Sequence, residues 1–359
     1  MSRSLLGSVR QNAAAVYERV MALRERRPRV AYVGGHGFKN LGDDALFEAA
    51  RQVLEGFHLS TFRFAPREAR LALVGLSGPR YFDRFILGGG TFINPYGLPV
   101  ARAALRQGLP AWTLGTGVGS AGFTMSRRPD LKEWGALLRD FRGVGVRGPL
   151  SKALLDELGV AHAEVIGDLA LVFAREAPTP LAPSRQFAVN ITLPPPEEPE
   201  GYAYERLEGL ERAIRHLEAQ GWTPVFLAMY SNDFAPMRRL MAAVGRAGDP
   251  LHTPERAHDY MDRVGACAFM IAVRLHAAVL ACCAGTPVLS LGYREKCLDF
   301  MASLGLEDWH VDLSTPEGDI FERALALAEQ AGALRAPVLE RAREKQRRIR
   351  EYARSVSVS

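Results

Sequence analysis

Short apolar runs of strand length alternate with longer segments whose apolar residues recur every three or four positions, and this alternation fills nearly the whole chain. The strand-like runs are RVAYVGG (29–35), YFDRFIL (81–87), AWTLGTG (111–117), GVGVRG (143–148) and AEVIG (163–167). Between them lie amphipathic stretches such as DDALFEAARQVLEG, where Leu46, Ala49, Ala50, Val53 and Leu54 share one helical face and Gly56 supplies the stop. In GPLSKALLDELGV, Pro149 suits a first helical turn and Gly159 a C-terminal cap.

The rhythm then restarts. A strand QFAVNITL (186–193) and a proline-rich loop precede a helix (203–219), a strand (222–230), a helix, a strand CAFMIAVR (267–274), a helix and a strand TPVLSLGY (286–293). The break falls near 175–185, in REAPTPLAPSR. The pattern predicts an α/β fold of two Rossmann-like, doubly wound domains facing each other across a cleft, their parallel sheets covered on both faces. The first spans 1–178 and the second 179–335. A basic helix and tail over 336–359 packs back on the first domain.

Composition narrows the class. The 359 residues suit two domains, and 48% hydrophobic with 24% charged residues is an ordinary globular balance. No run of eighteen uncharged apolar residues is present, which excludes a transmembrane helix. The first residues lack the apolar core and cleavage site of a secretory signal. Cys267, Cys282, Cys283 and Cys297 have no C-x-x-C spacing, so neither a zinc site nor a disulfide framework is expected. The chain reads as cytosolic.

The net charge of +5 is unevenly spread. Residues 1–29 carry seven arginines and two glutamates, and residues 335–354 carry eight Lys/Arg and three glutamates. The body between is acidic, which argues against a nucleic-acid reader. A basic terminal helix can touch an anionic membrane face or lipid carrier as a peripheral contact. A solvated arginine-rich surface is the simpler reading of both ends.

Glycine-rich turns follow three strands of the first half: GGHGFKNLGDDA (34–45), LGGGTF (87–92) and LGTGVGS (114–120). The first is not a G-x-G-x-x-G turn and has no P-loop Lys-Ser/Thr pair. Asp43 and Asp44 at the helix start would repel a phosphate. A hydroxyl-rich sugar fits better, with Asn40 and Asp43 as hydrogen-bond partners and Gly89 and Gly90 giving close approach; Asp43 as a simple helix N-cap is the alternative.

In IAVRLHAAVLACCAGTPVLSLGYREK (271–296), a buried strand runs into Arg274-Leu275-His276 and then a helix. Arg274 and His276 face the cleft, while Leu275 points into the core. An arginine with apolar flanks calls for an anion, and a histidine at a strand–helix switch suits an acid or base. Arg147, at a strand end in the first domain, faces the same cleft, with Lys296 and Arg294 as further candidate anion ligands. The other histidines form no ligand spacing, so no metal site is expected.

Taken in order, Asn40 to Ala45, Gly88 to Gly90, Gly115 to Gly119, Val144 to Gly148, Gly167-Asp168, Arg274 to His276, Ala284 to Val288, and Tyr293 with Lys296 resemble the motifs of the polysaccharide pyruvyl transferases, over about residues 31–305. The resemblance implies a GT-B-like pair of domains that moves pyruvate from phosphoenolpyruvate to a sugar of a cell-surface polysaccharide or its lipid-linked precursor. The product is a cyclic ketal, and phosphate is released. It implies His276 as general acid and Arg147, Arg274 and Lys296 as ligands of the donor, which is a co-substrate; no cofactor is implied. One rival is a GT-B nucleotide-sugar glycosyltransferase, which such a fold often equips with a ribose-binding glutamate on the second-domain helix. No acid lies between Arg274 and Arg294. Another is a non-catalytic sugar-binding protein of the same fold, against which the trio Arg147, Arg274 and His276 argues.

Overall fold

The computed structural model describes residues 16–62, 71, 75–78, 80–119, 131–182, 185–193, 207–292, 294–313 and 320–358. Expectations for the loop at 194–202, for residues 203–206 and for Tyr293 fall outside these.

The first half forms a seven-stranded sheet from β1 (Arg29–Val33), β2 (His58–Thr61), β3 (Arg84–Leu87), β4 (Gly90–Ile93), β5 (Ala111–Val118), β6 (Gly143–Val146) and β7 (Ala163–Val165), in the order 2-1-3-5-6-7 with β4 paired to β5. The second half forms a six-stranded sheet from β8 (Gln186–Asn190), β9 (Thr223–Leu227), β10 (Leu251–His252), β11 (Phe269–Ala272), β12 (Val288–Gly292) and β13 (His310–Asp312), in the order 10-9-8-11-12-13. The pairings are parallel in both. The chain is thus α/β with two Rossmann-like sheets. The central strands are buried because helices cover both faces, as their unbroken apolar runs require. In each sheet the strand order reverses once, between β1 and β3 and between β8 and β11. Such reversals open a crevice beyond the carboxyl ends of the strands.

The helices among the described residues are α1 (16–22), α2 (Leu41–Val53), α3 (Leu98–Arg106), α4 (Lys132–Leu138), α5 (Pro149–Glu157), α6 (Glu208–Ala219), α7 (Phe234–Ala243), α8 (Ala257–Gly265), α9 (Leu275–Cys283), α10 (Glu295–Ser303) and α11 (Ile320–Val358). Helix α9 is buried on nearly every side, which explains its run of small and apolar residues. With α2, the 3-10 turn Leu169–Phe173 and the end of α11, it forms one apolar core shared by both domains.

The last helix starts at Ile320, earlier than the expected 336, and passes through Pro337 without ending. Its first half packs Ala324, Leu327 and Ala331 into the second domain, and its second half packs Ile349, Tyr352 and Val356 against the first. Several of its arginines hold this strap in place. Arg335 donates to the carbonyls of Cys267, Thr179 and Gly265, Arg341 to that of Leu304, and Arg348 pairs with Glu164.

A buried polar joint also ties the domains. Asp299 of α10 accepts hydrogen bonds from the backbone N–H groups of Leu150 (2.9 Å) and Ser151 (3.1 Å) and from the Ser151 hydroxyl (2.7 Å). The open N-terminus of α5 is therefore capped by a carboxylate from the other domain. Gly148 makes this possible, because a β-carbon there would collide with the Asp299 backbone oxygen and carboxylate. Asp299→Ala strands the two buried Ser151 donors and the half-buried Leu150 N–H, and we expect it to cost about 3 kcal/mol at ~1–3 kcal/mol for each buried donor. Urea unfolding checks this, with Asp299→Asn losing less because it keeps an oxygen for the two amides.

Candidate active site

The carboxyl ends of both sheets meet around a cavity of about 420 Å³, within the range of ligand pockets. Its walls include Asn40, Asp43, Gly90, Arg147, Arg274, His276 and Lys296. Each follows a strand: Asn40 and Asp43 come after β1, Gly90 after β3, Arg147 after β6, Arg274 and His276 after β11, and Lys296 after β12. Of the residues singled out in the sequence, Gly89 stands apart. A β-carbon there would lie 2.7 Å from the Leu46 side chain and 3.3 Å from Leu169, so Gly89 serves close packing of α2 and the 3-10 turn, away from the cavity.

Asn40, and not Asp43, caps α2: its side-chain oxygen accepts from Gly42 N at 3.1 Å. Asp43 is left on the cavity wall, free of capping duty, close to the Gly35 backbone and the His276 ring.

Each of the two arginines is held from behind by a fully buried carboxylate. Arg147 Nε donates to Asp168 Oδ2 at 3.2 Å, and Arg274 Nε donates to Asp233 Oδ1 at 2.5 Å. Asp233 also accepts from Met229 N (2.9 Å) and Tyr230 N (3.2 Å), so it is a fixed post. Using Nε for the anchor fixes each guanidinium in place while both arginines line the cleft. Arg147 Nη2 donates to the Gly90 carbonyl and to Thr91 Oγ1 (3.2 Å), while its Nη1 is buried without a hydrogen-bond partner. Arg274 Nη2 donates to Thr192 Oγ1 at 3.1 Å. A buried unpaired guanidinium nitrogen is costly, and this one is enclosed by protein, packed against Gly117. Space for Arg147 comes from Gly117, where a β-carbon would lie 2.6 Å from Nη1.

His276 sits in the first turn of α9, its side chain 13% exposed. Nε2 is 3.9 Å from Asp168 Oδ2 and has no hydrogen-bond partner; Nδ1 faces Gly42. Asp168 thus stands between the first-domain arginine and the second-domain histidine. Burial, then Lys296, Arg147 and Arg274, pulls the imidazole down to about 3, against the opposing pull of Asp43. Lys296 falls to about 8, through burial and the neighbouring Arg294 and Arg147. The cleft therefore holds crowded cations and a neutral histidine.

Two consequences are measurable. An unfolded histidine titrates near 6.5. Between that pH and about 3 the unfolded chain binds a proton that folded His276 refuses. Stability must then fall as pH drops through this window. Urea midpoints from pH 7 to 4 should fall more steeply for the wild type than for His276→Gln. The second concerns Gly42, where a β-carbon would run into the His276 ring. Alanine favours the helix by ~1 kcal/mol, so Gly42→Ala should fold while displacing the imidazole, and we expect a fall in kcat larger than any change in KM.

Sequence reasoning did not give Asp168, Asp233, Thr91 or Thr192 a place in the site. Asp168 did carry a signal, the Gly-Asp pair after the seventh strand. Arg294, left open there, lines the cavity. Among the described residues no three His, Cys, Asp or Glu side chains gather as a metal set.

A profile of the polysaccharide pyruvyl transferases matches residues 40–295, from the cap of α2 to the first residue of α10. The chain belongs to the polysaccharide pyruvyl transferase family. All seven cavity-lining residues named above except Lys296, the next residue, fall inside the matched span. A search of curated proteins found no match. Among solved structures, the chain is similar to Anabaena HepE in complex with UDP and glucose, at 11% identity over 93% of this chain and 100% of that one, with a TM-score of 0.54. It is also similar to S. aureus MnaA with UDP, at 11% identity over 87% of this chain and 90% of that one, with a TM-score of 0.54. The UDP-GlcNAc 2-epimerase of Methanocaldococcus jannaschii is a third (11% identity, 85% and 92% covered, TM-score 0.51). At this identity the likeness is one of fold, and it agrees with the GT-B-like pair of domains. A transferase family acting in polysaccharide biosynthesis is the setting for this cleft.

Proposed function

We propose that the protein transfers pyruvate from phosphoenolpyruvate to a saccharide, forming a ketal and releasing phosphate. The observation that carries this reading is the convergence of Arg147, Arg274, Arg294, Lys296 and His276 on one small cavity. Phosphoenolpyruvate places a phosphate and a carboxylate on three carbons, and two forked guanidinium groups match two such anions. The donor's negative charge favours a proton on His276, reversing the effect of the neighbouring cations. His276, once charged, gives that proton to the methylene carbon, and the positive charge that develops at C2 is met by an acceptor hydroxyl. The attacking hydroxyl passes its proton back to the imidazole, the C2–O bond to phosphate breaks, and a neighbouring hydroxyl closes the ring, its proton leaving with the phosphate. Asp43 and the Asn40 amide, on the first-domain wall, are placed to hydrogen-bond the acceptor.

The test is incubation of the enzyme and phosphoenolpyruvate with a panel of glycosides and lipid-linked saccharides, reading phosphate and product mass. The reading expects phosphate release in step with a pyruvate ketal on one acceptor. Transfer of a sugar from a UDP-sugar by the same preparation, with phosphoenolpyruvate left intact, would overturn it.

A further inference from the structure

Five of the nine large hydrophobic side chains that stand exposed among the described residues lie within eight positions: Val16, Tyr17, Val20, Met21 and Leu23. Val16, Tyr17, Val20 and Met21 fall at the spacing of one helical face. The opposite face of α1 is fixed to the domain. Arg19 is fully buried, donating to the carbonyls of Leu76 (2.8 Å) and Thr61 (3.1 Å) and lying over the Phe82 ring, while Tyr81 donates its hydroxyl proton back to the Arg19 carbonyl. Glu18 pairs with His58 and accepts from Ser60. The helix is therefore held with its charged side inward and its apolar side outward, the reverse of an ordinary surface helix. Arg24, Arg26 and Arg27 follow at once and are exposed; Glu25 between them is turned toward His58, at 3.3 Å, and Arg27.

We propose that this face docks on an anionic lipid bilayer, with the apolar row and Tyr17 in the headgroup boundary and the three arginines against lipid phosphates. A clustered apolar face marks an interaction site, and the arginine rim specifies an anionic partner. A second copy of the chain fits poorly, because a symmetric contact sets one row of arginines against the other. The basic C-terminal helix offers no equivalent surface, since among the described residues it exposes no large apolar side chain. No helix among the described residues is long and apolar enough to cross a membrane, so the contact is peripheral. This inference stands independently of the donor's identity.

The experiment is flotation of the full-length protein with vesicles of phosphatidylcholine alone and with 30% phosphatidylglycerol, at low and high salt. Binding should need the anionic lipid and weaken with salt. Tyr17→Asp with Val20→Asp should abolish it at unchanged thermal stability, and Arg24, Arg26 and Arg27→Gln together should weaken it roughly fivefold per arginine. Equal recovery with both vesicle types, or a Tyr17→Asp/Val20→Asp protein that floats like the wild type, would overturn the proposal. So would a wild-type dimer in gel filtration that these substitutions dissolve, or binding to an acidic protein without binding to vesicles.

Discussion

His276→Gln should bind phosphoenolpyruvate and yet turn it over about 10²–10⁴-fold more slowly, the usual share of a positioned acid. Glutamine preserves much of the ring's bulk and can still hydrogen-bond toward Asp168, but it carries no transferable proton. The depressed value of His276, about 3, comes from burial and the neighbouring cations. It would leave the wild type without its acid at neutral pH unless the donor supplied compensating charge. The account therefore also requires wild-type binding to take up a proton that the variant does not. Calorimetry in buffers of different ionisation enthalpy reads this uptake, and single-turnover kinetics reads the loss of rate.

Arg274→Gln should weaken phosphoenolpyruvate binding by roughly 30- to 10³-fold, as expected when one partner of a buried charge pair is truncated. The fold should survive, because Asp233 keeps the N–H groups of Met229 and Tyr230 after losing the guanidinium. Arg274→Lys should rescue little. A point charge on a flexible stem reproduces neither the Nε anchor nor the forked contact. Arg147 is the less clean test, since its removal leaves the buried Asp168 with one backbone donor, Ala170 N, where Asp233 keeps two.

The architecture was legible because parallel strands between helices must be apolar throughout, and because glycines and charged residues collect where such strands end. Arg147, Arg274, His276 and Lys296 could be found from chain position alone: each comes within a few residues of the end of a strand in one of the two sheets. The strands β2, β4, β10 and β13 were not: β2, β10 and β13 are edge strands with polar residues among few apolar ones, and β4 begins inside a glycine turn. The carboxylates behind the arginines were hidden for another reason. Asp168 lies 21 residues from Arg147 and Asp233 lies 41 from Arg274, and only the folded sheets bring them together. Gly89 shows the limit of a glycine motif. Three successive glycines look alike in sequence, and only backbone direction separates the one that faces Leu46 from the one that lines the cavity. The change in composition near 335 likewise marks no structural boundary, because the last helix carries the chain unbroken from one domain to the other.

Titration calorimetry of the wild-type protein and Arg274→Gln with phosphoenolpyruvate, set beside UDP, tests the central claim most directly. The account predicts that phosphoenolpyruvate binds at one site with proton uptake, that Arg274→Gln loses this binding, and that UDP does not compete. Tight UDP binding with no heat from phosphoenolpyruvate would contradict it.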